Sequence, residues 1–132
     1  MATLFTRIIA REIPGRFVYE DEQCVAFLTI APIRPGHTLV VPRAEIDHWL
    51  DLPTALTAHL FQTAQRIGVA IQSVFPCEKI GLMIAGLEVP HTHLHLVPCD
   101  TIGDLDFAKQ DHKARPESLD QAAEKIRRAL AG

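Results

Sequence analysis

Residues 91–97 read His-Thr-His-Leu-His-Leu-Val, so imidazoles occur at three alternate positions of one short segment. Because successive side chains of a β-strand point to opposite faces, a strand places His91, His93 and His95 on one face. In a helix, His93 would point nearly opposite to the other two. The segment therefore predicts a strand over residues 91–98 that carries a cluster of histidines.

The clustered imidazoles fit three kinds of role. Imidazole titrates near neutral pH, and its neutral form can act as a base, a nucleophile or a metal ligand. A purely structural role is the least favoured, because neighbouring imidazoles repel each other when they are charged together. A metal site is also less favoured, because alternate residues of a strand are about 6.6 Å apart and three of them diverge unless the strand bends. Catalysis at a phosphorus or acyl centre is the favoured interpretation.

The chain of 132 residues is expected to form a single domain, residues 1–132. Its composition, with 48% hydrophobic and 22% charged residues, is typical of a globular protein and argues against a disordered chain. The net charge of -3 disfavours a nucleic acid polymer as a partner, because such binding needs a basic surface. A small anionic ligand is compatible with this charge.

The sequence contains no apolar run long enough to span a bilayer, and its N-terminal segment mixes charged with apolar residues, unlike a signal peptide. We therefore expect a cytoplasmic protein that does not associate with membranes. Cys24, Cys77 and Cys99 are odd in number and form no CxxC motif. This pattern argues against a disulfide framework and against a structural zinc site.

The hydrophobic pattern predicts elements in the order α, β, β, β, α, β, β, α, which indicates an α+β fold with a five-stranded, mainly antiparallel sheet. The long helix is expected to begin at Asp51, and the last helix at a capping box formed by Ser118 and Gln121. Residues 99–116 show no period and are expected to form a surface loop. The predicted helices cover residues 3–12, 51–74 and 118–130, and the predicted strands cover residues 16–20, 24–30, 37–42, 79–85 and 91–98.

Two separate parts of the chain resemble the histidine triad (HIT) family. Residues 85–98 are similar to the family signature, an HxHxH motif with apolar residues at the intervening positions and an Ala-Gly pair before it. Further upstream, the family's N-terminal half is matched in order and spacing by Ile13-Pro14, Tyr19 to Glu22, Cys24 to Phe27, Pro32 and residues 35–42. The resemblance covers residues 3–98 and leaves out the C-terminal loop and helix, residues 99–132.

The resemblance implies a five-stranded antiparallel sheet with one long helix, a homodimer, and a site that binds a small purine nucleotide without a cofactor or metal. It also implies that His93 attacks the α-phosphorus and forms a covalent nucleotidyl-histidine intermediate, which water or a second substrate then resolves. His91 and His95 would donate hydrogen bonds to phosphate oxygens or fix the tautomer of His93. His37 also matches a family position, where we expect a structural role.

The resemblance further assigns a substrate pocket, although each apolar residue in it, taken alone, fits ordinary core packing. Where the family grips the ribose with Asp or Asn, this chain has Thr29, whose single hydroxyl cannot accept from both ribose hydroxyls as a carboxylate can. Arg43 is expected to supply positive charge to the phosphates. The other pocket residues are Phe5, Ile8, Ile13, Phe27, Leu28, Ile30, Glu88 and Val89.

Two acidic residues depart from the family pattern near the predicted nucleophile. Glu45 occupies the position of a fourth histidine, and we hypothesise that its carboxylate orients a triad imidazole, with His48 as an alternative to the missing histidine. Glu88 stands where relatives carry a Ser or Thr that donates to the leaving group. An ionised glutamate has no proton to donate. Glu88 would therefore act as a general acid only with a raised pKa, or it would select a cationic leaving group such as an amine. Together with Thr29, these replacements predict a changed substrate or reduced activity.

The sequence therefore predicts a nucleotide hydrolase or nucleotidyl transferase that cleaves a phosphoramidate, a dinucleoside polyphosphate or a related ester. One alternative is a nucleotide-binding or interaction protein with vestigial catalysis, which the replaced residues favour. A second alternative is a metal-dependent enzyme that uses the three histidines as ligands. The expected partners are a small purine nucleotide and a second copy of the chain.

Overall fold

Five strands form the sheet that carries the histidine segment. The computed structural model describes residues 2–132. The strands are β1 (Phe17–Glu20), β2 (Cys24–Leu28), β3 (Thr38–Pro42), β4 (Lys79–Met83) and β5 (Leu94–Cys99). Their order in the sheet is β1-β2-β3-β5-β4, and all four neighbouring pairs are antiparallel. The sheet therefore ends in β1 at one edge and β4 at the other.

Three α-helices accompany the sheet. They are α1 (Leu4–Ile9), α2 (Thr54–Val74) and α3 (Pro116–Ala131), and three short 3-10 turns cover Trp49–Asp51, Ile102–Asp104 and Phe107–Lys109. The predicted α+β class, with one long helix and two shorter terminal helices, is confirmed. Within residues 2–132, no helix combines the length and the apolar character needed to cross a membrane.

The predicted starts of the long helix and of the last helix were wrong. Asp51 lies in a 3-10 turn, and α2 begins three residues later at Thr54, directly after Pro53. Helix α3 begins at Pro116, so Ser118 lies inside its first turn instead of capping it. The two corrections share a cause, because the fixed φ of proline is already suited to a helix start and a proline needs no N–H partner there.

Strand β5 begins later than predicted. Its pairing with β3 starts at Leu94, whereas the prediction began the strand at His91. Upstream of Leu94 the backbone bonds elsewhere: the His91 N–H donates to the Val89 carbonyl at 2.8 Å, and the Thr92 N–H donates to the Ile46 carbonyl at 2.7 Å. The first half of the histidine segment is thus a turn that leads into the strand.

The two faces of the sheet have different cores. Helices α2 and α3 cover one face, where Leu94 and Leu96 are 0% and 2% exposed. Burying such a side chain contributes about 1.5–3 kcal/mol relative to leaving it exposed. Helix α1 packs on the opposite face through Phe5. The alternation along β5 places His95 on this second face, where it lies opposite Leu39 of β3.

Candidate active site

A cavity of about 480 Å³ opens on the α1 side of the sheet, next to the histidine segment. Its walls come from α1, from the loop after β2, from the segment between β4 and β5, and from the polar loop before α3. The volume lies within the range of small-molecule sites, about 300–1,000 Å³. The lining is mostly apolar and includes Leu4, Phe5, Ile8, Ile13, Phe27, Ile30, Leu39, Leu87, Val89, His93 and His95.

Nine of the ten residues predicted to bind substrate lie in the cavity wall, namely Phe5, Ile8, Ile13, Phe27, Leu28, Thr29, Ile30, Glu88 and Val89. Arg43 is the exception. Its backbone N–H donates to the Gln23 carbonyl, and its guanidinium donates to the Asp21 carbonyl at 2.8 Å and lies 3.3 Å from a Glu20 carboxylate oxygen. These contacts tie Arg43 to the turn between β1 and β2, so the expected positive charge does not reach the cavity.

His93 lies in the cavity wall with its proton position fixed by the backbone. Its Nδ1 is 2.7 Å from the carbonyl oxygen of His91. A carbonyl can only accept, so Nδ1 carries the proton of the neutral ring and Nε2 keeps its lone pair. Burial lowers the pKa of His93, and Phe5 packs edge-on against the ring with 4.7 Å between centroids. The result is a neutral imidazole with the electronic state of a nucleophile.

His95 is fixed in the opposite tautomer by His37. The Ile33 N–H donates to His37 Nδ1 at 3.0 Å, so the proton of a neutral His37 is on Nε2. That proton is donated to His95 Nδ1 at 2.9 Å, which places the His95 proton on Nε2. Burial lowers the pKa of His37 to about 4 and that of His95 to about 3. His37, expected to be structural, therefore contacts a triad imidazole directly and sets its tautomer.

His91 does not line the cavity, and its ring is 0% exposed. Its Nε2 lies 2.8 Å from the Pro42 carbonyl oxygen and its Nδ1 lies 2.7 Å from the Thr3 hydroxyl. Because protein groups occupy both ring nitrogens, His91 has no proton to offer a phosphate in this conformation. Of the two roles predicted for it, the geometry fits the orientation of His93, through the His91 backbone carbonyl.

The triplet is poorly arranged to hold a metal ion. Four of its six ring nitrogens are hydrogen-bonded to protein groups, including both nitrogens of His91. In the described part of the chain, one group of His, Cys and acidic side chains brings its ligand atoms within 4.8 Å of one another: Asp21, Cys24 and His59. This group lies between the β1–β2 turn and α2 and contains none of the three triad histidines.

Glu45 lies outside the cavity and reaches the triad indirectly. Its carboxylate accepts from the Thr3 N–H at 2.7 Å and from the Thr6 hydroxyl at 2.8 Å, and these hydrogen bonds lower the pKa of Glu45. The hypothesised contact with an imidazole is therefore made through threonine. His48, the suggested alternative, accepts from the Leu50 N–H in the 3-10 turn and is not part of the cavity wall.

Thr29 and Glu88 both line the cavity. The Thr29 hydroxyl accepts from the Ala31 N–H at 3.2 Å, which leaves its own proton for a ligand. Glu88 is exposed in the segment between β4 and β5, and its negative charge raises the pKa of His93 against the larger, opposite effect of burial. Among the described residues, Glu88 is the one acidic residue in the lining of the cavity.

The sequence prediction missed the contribution of the polar loop before α3, which it described as surface loop. Phe107 packs edge-on against His95 with 4.9 Å between ring centroids, and Gln110 donates to the Ala31 carbonyl at 3.0 Å. Both residues, with His112, line the cavity. The loop has no periodicity, but Phe107 is the one Phe, Tyr or Trp between residues 99 and 116, and that isolated aromatic residue was the available signal.

Known proteins are similar in sequence to most of this chain. A family model described as the HIT domain matches residues 10–102. Protein hit from Bacillus subtilis is 36% identical to this chain over 138 aligned positions, which cover 97% of this chain and 94% of that protein. The asymmetrical bis(5'-nucleosyl)-tetraphosphatase of Schizosaccharomyces pombe is 32% identical over 98 residues, which cover 70% of this chain and 52% of that enzyme.

Solved structures share the fold over almost the whole chain. A Hit-like protein from Bartonella henselae superposes with a TM-score of 0.83 at 31% identity, and the match covers 96% of this chain and 95% of that one. A hypothetical histidine triad nucleotide-binding protein from Sulfolobus tokodaii gives a TM-score of 0.82 at 27% identity, with coverage of 96% and 91%.

Proposed function

The chain belongs to the histidine triad (HIT) family, and we propose that it is a hydrolase or nucleotidyl transferase acting on a small purine nucleotide derivative. The observation that carries this proposal is the state of His93: a buried neutral imidazole in the wall of a nucleotide-sized cavity, with its Nδ1 proton held by a carbonyl. Similarity to the tetraphosphatase of S. pombe and to the nucleotide-binding protein of S. tokodaii supports the same substrate class.

In the proposed reaction, the lone pair of His93 Nε2 attacks the α-phosphorus of the bound nucleotide. A P–N bond forms, and the bond from phosphorus to the leaving group breaks with its electron pair departing on that group. Water then attacks the same phosphorus and gives up a proton to the solvent, a P–O bond forms, and the P–N bond breaks with its electron pair returning to Nε2. If an acceptor substrate replaces water in the second step, the same intermediate gives nucleotidyl transfer.

His95 is placed to stabilise the charge that develops on the phosphoryl oxygens. Its Nε2 carries the proton because Nδ1 accepts from His37, and the ring lines the cavity beside His93 with 4.7 Å between the two centroids. A donor fixed before the reaction begins does not need to reorganise when charge appears, which is why such groups are effective. His37 then acts as a positioning residue for His95.

The apolar end of the cavity suits a purine base. Phe5 and Phe27 lie edge to face with 5.6 Å between ring centroids, and Ile8 and Ile13 complete this part of the wall. Flat apolar walls with a few polar groups at one side are typical of nucleotide-sized ligand sites. Thr29, which also lines the cavity, is proposed to contact the ribose through its hydroxyl.

The charges around the cavity favour an amine as leaving group. Glu88 places a negative charge in the lining, where it would repel a polyphosphate and attract an ammonium group. The cation in the lining, Arg16, is already paired with Asp120 at 2.7 Å. We therefore place phosphoramidates ahead of dinucleoside polyphosphates as substrates.

A second candidate function is nucleotide binding with vestigial catalysis. It is favoured by Thr29 and Glu88, because both line the cavity at positions where the family uses groups that grip the ribose and assist the leaving group. In that case the cavity would bind nucleoside monophosphates with little or no turnover. A single set of measurements separates the two candidates.

The deciding experiment incubates the protein with adenosine 5'-phosphoramidate and, separately, with diadenosine polyphosphates. Turnover is followed by chromatography, and the rapidly quenched protein is searched by mass spectrometry for an adenylylated peptide containing His93. We expect faster turnover of the phosphoramidate and an adduct on His93. His93→Ala should lower turnover by at least 100-fold, since the nucleophile is lost.

The matched control is His48→Gln, which changes an exposed histidine outside the cavity and should leave turnover unchanged. Full activity in His93→Ala would refute the proposed nucleophile. Binding of adenosine monophosphate without turnover or adduct would replace the enzymatic proposal with the binding function.

A further inference from the structure

Four polar residues form a hydrogen-bonded cluster behind the cavity wall. Glu45 accepts from the Thr3 N–H at 2.7 Å and from the Thr6 hydroxyl at 2.8 Å. The Thr3 hydroxyl lies 2.7 Å from His91 Nδ1, and it accepts from the Thr6 N–H at 3.1 Å. We call Thr3, Thr6, Glu45 and His91 the anchor cluster. It joins the start of α1, the segment after β3 and the histidine segment, which are far apart in sequence.

The protons of the anchor cluster can be assigned without conflict. The Pro42 carbonyl, 2.8 Å from His91 Nε2, can only accept, so Nε2 carries the proton of the neutral ring and Nδ1 is an acceptor. The Thr3 hydroxyl must then donate to Nδ1. The Thr6 hydroxyl gives its proton to Glu45. The Thr3 hydroxyl also lies 3.2 Å from the Thr6 hydroxyl oxygen, but its 2.7 Å contact with His91 Nδ1 is the shorter of the two and takes the proton.

The anchor cluster is connected to the proposed nucleophile in two ways. The backbone carbonyl of His91 accepts from His93 Nδ1 at 2.7 Å, so a shift of His91 would move the group that fixes the His93 tautomer. Phe5 of α1 also touches both imidazoles, with ring centroids 5.9 Å from His91 and 4.7 Å from His93. Helix α1 has six residues, too few to be stable alone, so its position depends on such contacts.

We propose that Glu45 and Thr3 are positioning residues: through Thr3 and Thr6, Glu45 holds the His91 ring against the Pro42 carbonyl, and the His91 carbonyl orients His93. The expected effect on turnover rests on the proposed function, whereas the expected effect on the histidine tautomers does not. Glu45 is exposed and lies outside the cavity, so it acts through the threonines and has no contact of its own with a substrate.

The test compares Thr3→Val, Thr3→Ser and Glu45→Ala with the unchanged protein. Valine is close in shape to threonine but lacks the hydroxyl proton that His91 Nδ1 needs, whereas serine keeps it. The first readout is the nitrogen-15 chemical shifts of the His91 and His93 rings, which report the tautomer. We expect one tautomer for each ring in the unchanged protein and in Thr3→Ser. We expect mixed tautomers in Thr3→Val and Glu45→Ala, because the His91 ring is then no longer held against the Pro42 carbonyl.

The second readout is steady-state kinetics with adenosine 5'-phosphoramidate. Loss of an orienting contact of this kind is expected to lower kcat by about 10-fold to 100-fold, with KM nearly unchanged because the cavity wall is intact. Thr3→Ser should recover most of kcat. Glu22→Gln, which alters an exposed glutamate in the β1–β2 turn, is the matched control and should leave both readouts unchanged.

The two readouts separate failure of this inference from failure of the proposed function. If no nucleotide is turned over, the proposed function fails, but the tautomers of His91 and His93 still decide the inference. Single tautomers in both Thr3→Val and Glu45→Ala would overturn the inference, whatever the activity. If Glu45→Ala does not fold, the contrast between Thr3→Val and Thr3→Ser gives the same decision.

Discussion

At the scale of single residues, burial determines the charge of the histidines around the cavity. His37 and His95 are 1% and 7% exposed, and burial lowers their pKa values to about 4 and about 3. Both rings are therefore neutral at neutral pH. Their hydrogen bond requires this too, because His37 Nε2 donates its proton to the lone pair of His95 Nδ1. The neutral state is imposed by the folded structure and is lost when the chain unfolds.

We predict that the protein loses stability as the pH is lowered from about 7 to about 5. In the unfolded chain His37 and His95 take up protons near pH 6.5, whereas in the folded chain they stay neutral down to about pH 4 and about pH 3. Stability rises with pH wherever the unfolded state binds more protons, so it falls through this window as acid is added. Each histidine accounts for about 2 kcal/mol at about pH 5, measurable by urea unfolding.

A pair of histidine variants serves as the control for this prediction. His37→Gln removes one of the two buried groups, so its loss of stability between the two pH values should be smaller by about 2 kcal/mol. His112→Gln changes an exposed histidine and should keep the full loss. The same pH dependence in all three proteins would contradict the assignment.

Which residues surround the cavity could largely be predicted from the sequence, but their proton positions could not. Alternation and the family resemblance depend on residue type and spacing, and both are visible in the chain. The tautomer of His95 depends on His37, which accepts from the Ile33 N–H. The tautomer of His91 depends on the Pro42 carbonyl. Only the fold brings these groups into contact. Arg43 was misplaced for the same reason, since its partners belong to the β1–β2 turn.

At the scale of secondary-structure elements, β5 has two functions. Its residues on one face, including Leu94, complete the core beneath α2, and His95 on the other face lines the cavity. Since one strand carries both sets, damage to the core also disturbs the site. The alternation of side chains along β5 thus couples the stability of the core to the proposed catalysis.

We predict that Leu94→Ala lowers the free energy of unfolding by about 2–5 kcal/mol, because it opens a void in a fully buried position. Leu94 is 0% exposed. The matched control is Leu87→Ala: Leu87 is 94% exposed, so its truncation should change stability by about 0.5 kcal/mol or less. Urea unfolding at neutral pH measures both. Similar losses in the two variants would argue against the core assigned to β5.

The elements differ in how well the sequence predicts them. All five strands and α2 could be predicted, because short apolar runs bounded by turn residues mark the strands and the apolar residues of α2 recur with a helical period. Alternation was not needed: β2, β3 and β5 are buried along their whole length. The start of β5 could not, because His91 and Thr92 bond to Val89 and Ile46 instead of a neighbouring strand. The loop that carries Phe107 has no hydrophobic period, so the packing of Phe107 against His95 could not be predicted from the sequence.

At the scale of the whole molecule, an apolar surface lies on the side away from the cavity. Phe61 and Val69 of α2 are 37% and 71% exposed, and Leu82 of the edge strand β4 is 39% exposed. The groove between α2 and β4 that they line has a volume of about 560 Å³. Edge strands are natural sites for pairing with another chain. The family resemblance implies a homodimer, and we propose that the second copy packs on this surface.

A dimer formed through this surface should be broken by one charge in its centre. The unchanged protein should have twice the chain mass of 14.7 kDa in light scattering coupled to size exclusion, and Val69→Glu should have the mass of one chain. A buried, unpaired carboxylate costs several kcal/mol at an interface, enough to separate the copies. Ile102→Glu, at an 87% exposed residue outside this groove, should remain dimeric. An unchanged protein that is monomeric at micromolar concentration, or a dimeric Val69→Glu, would exclude this surface as the interface.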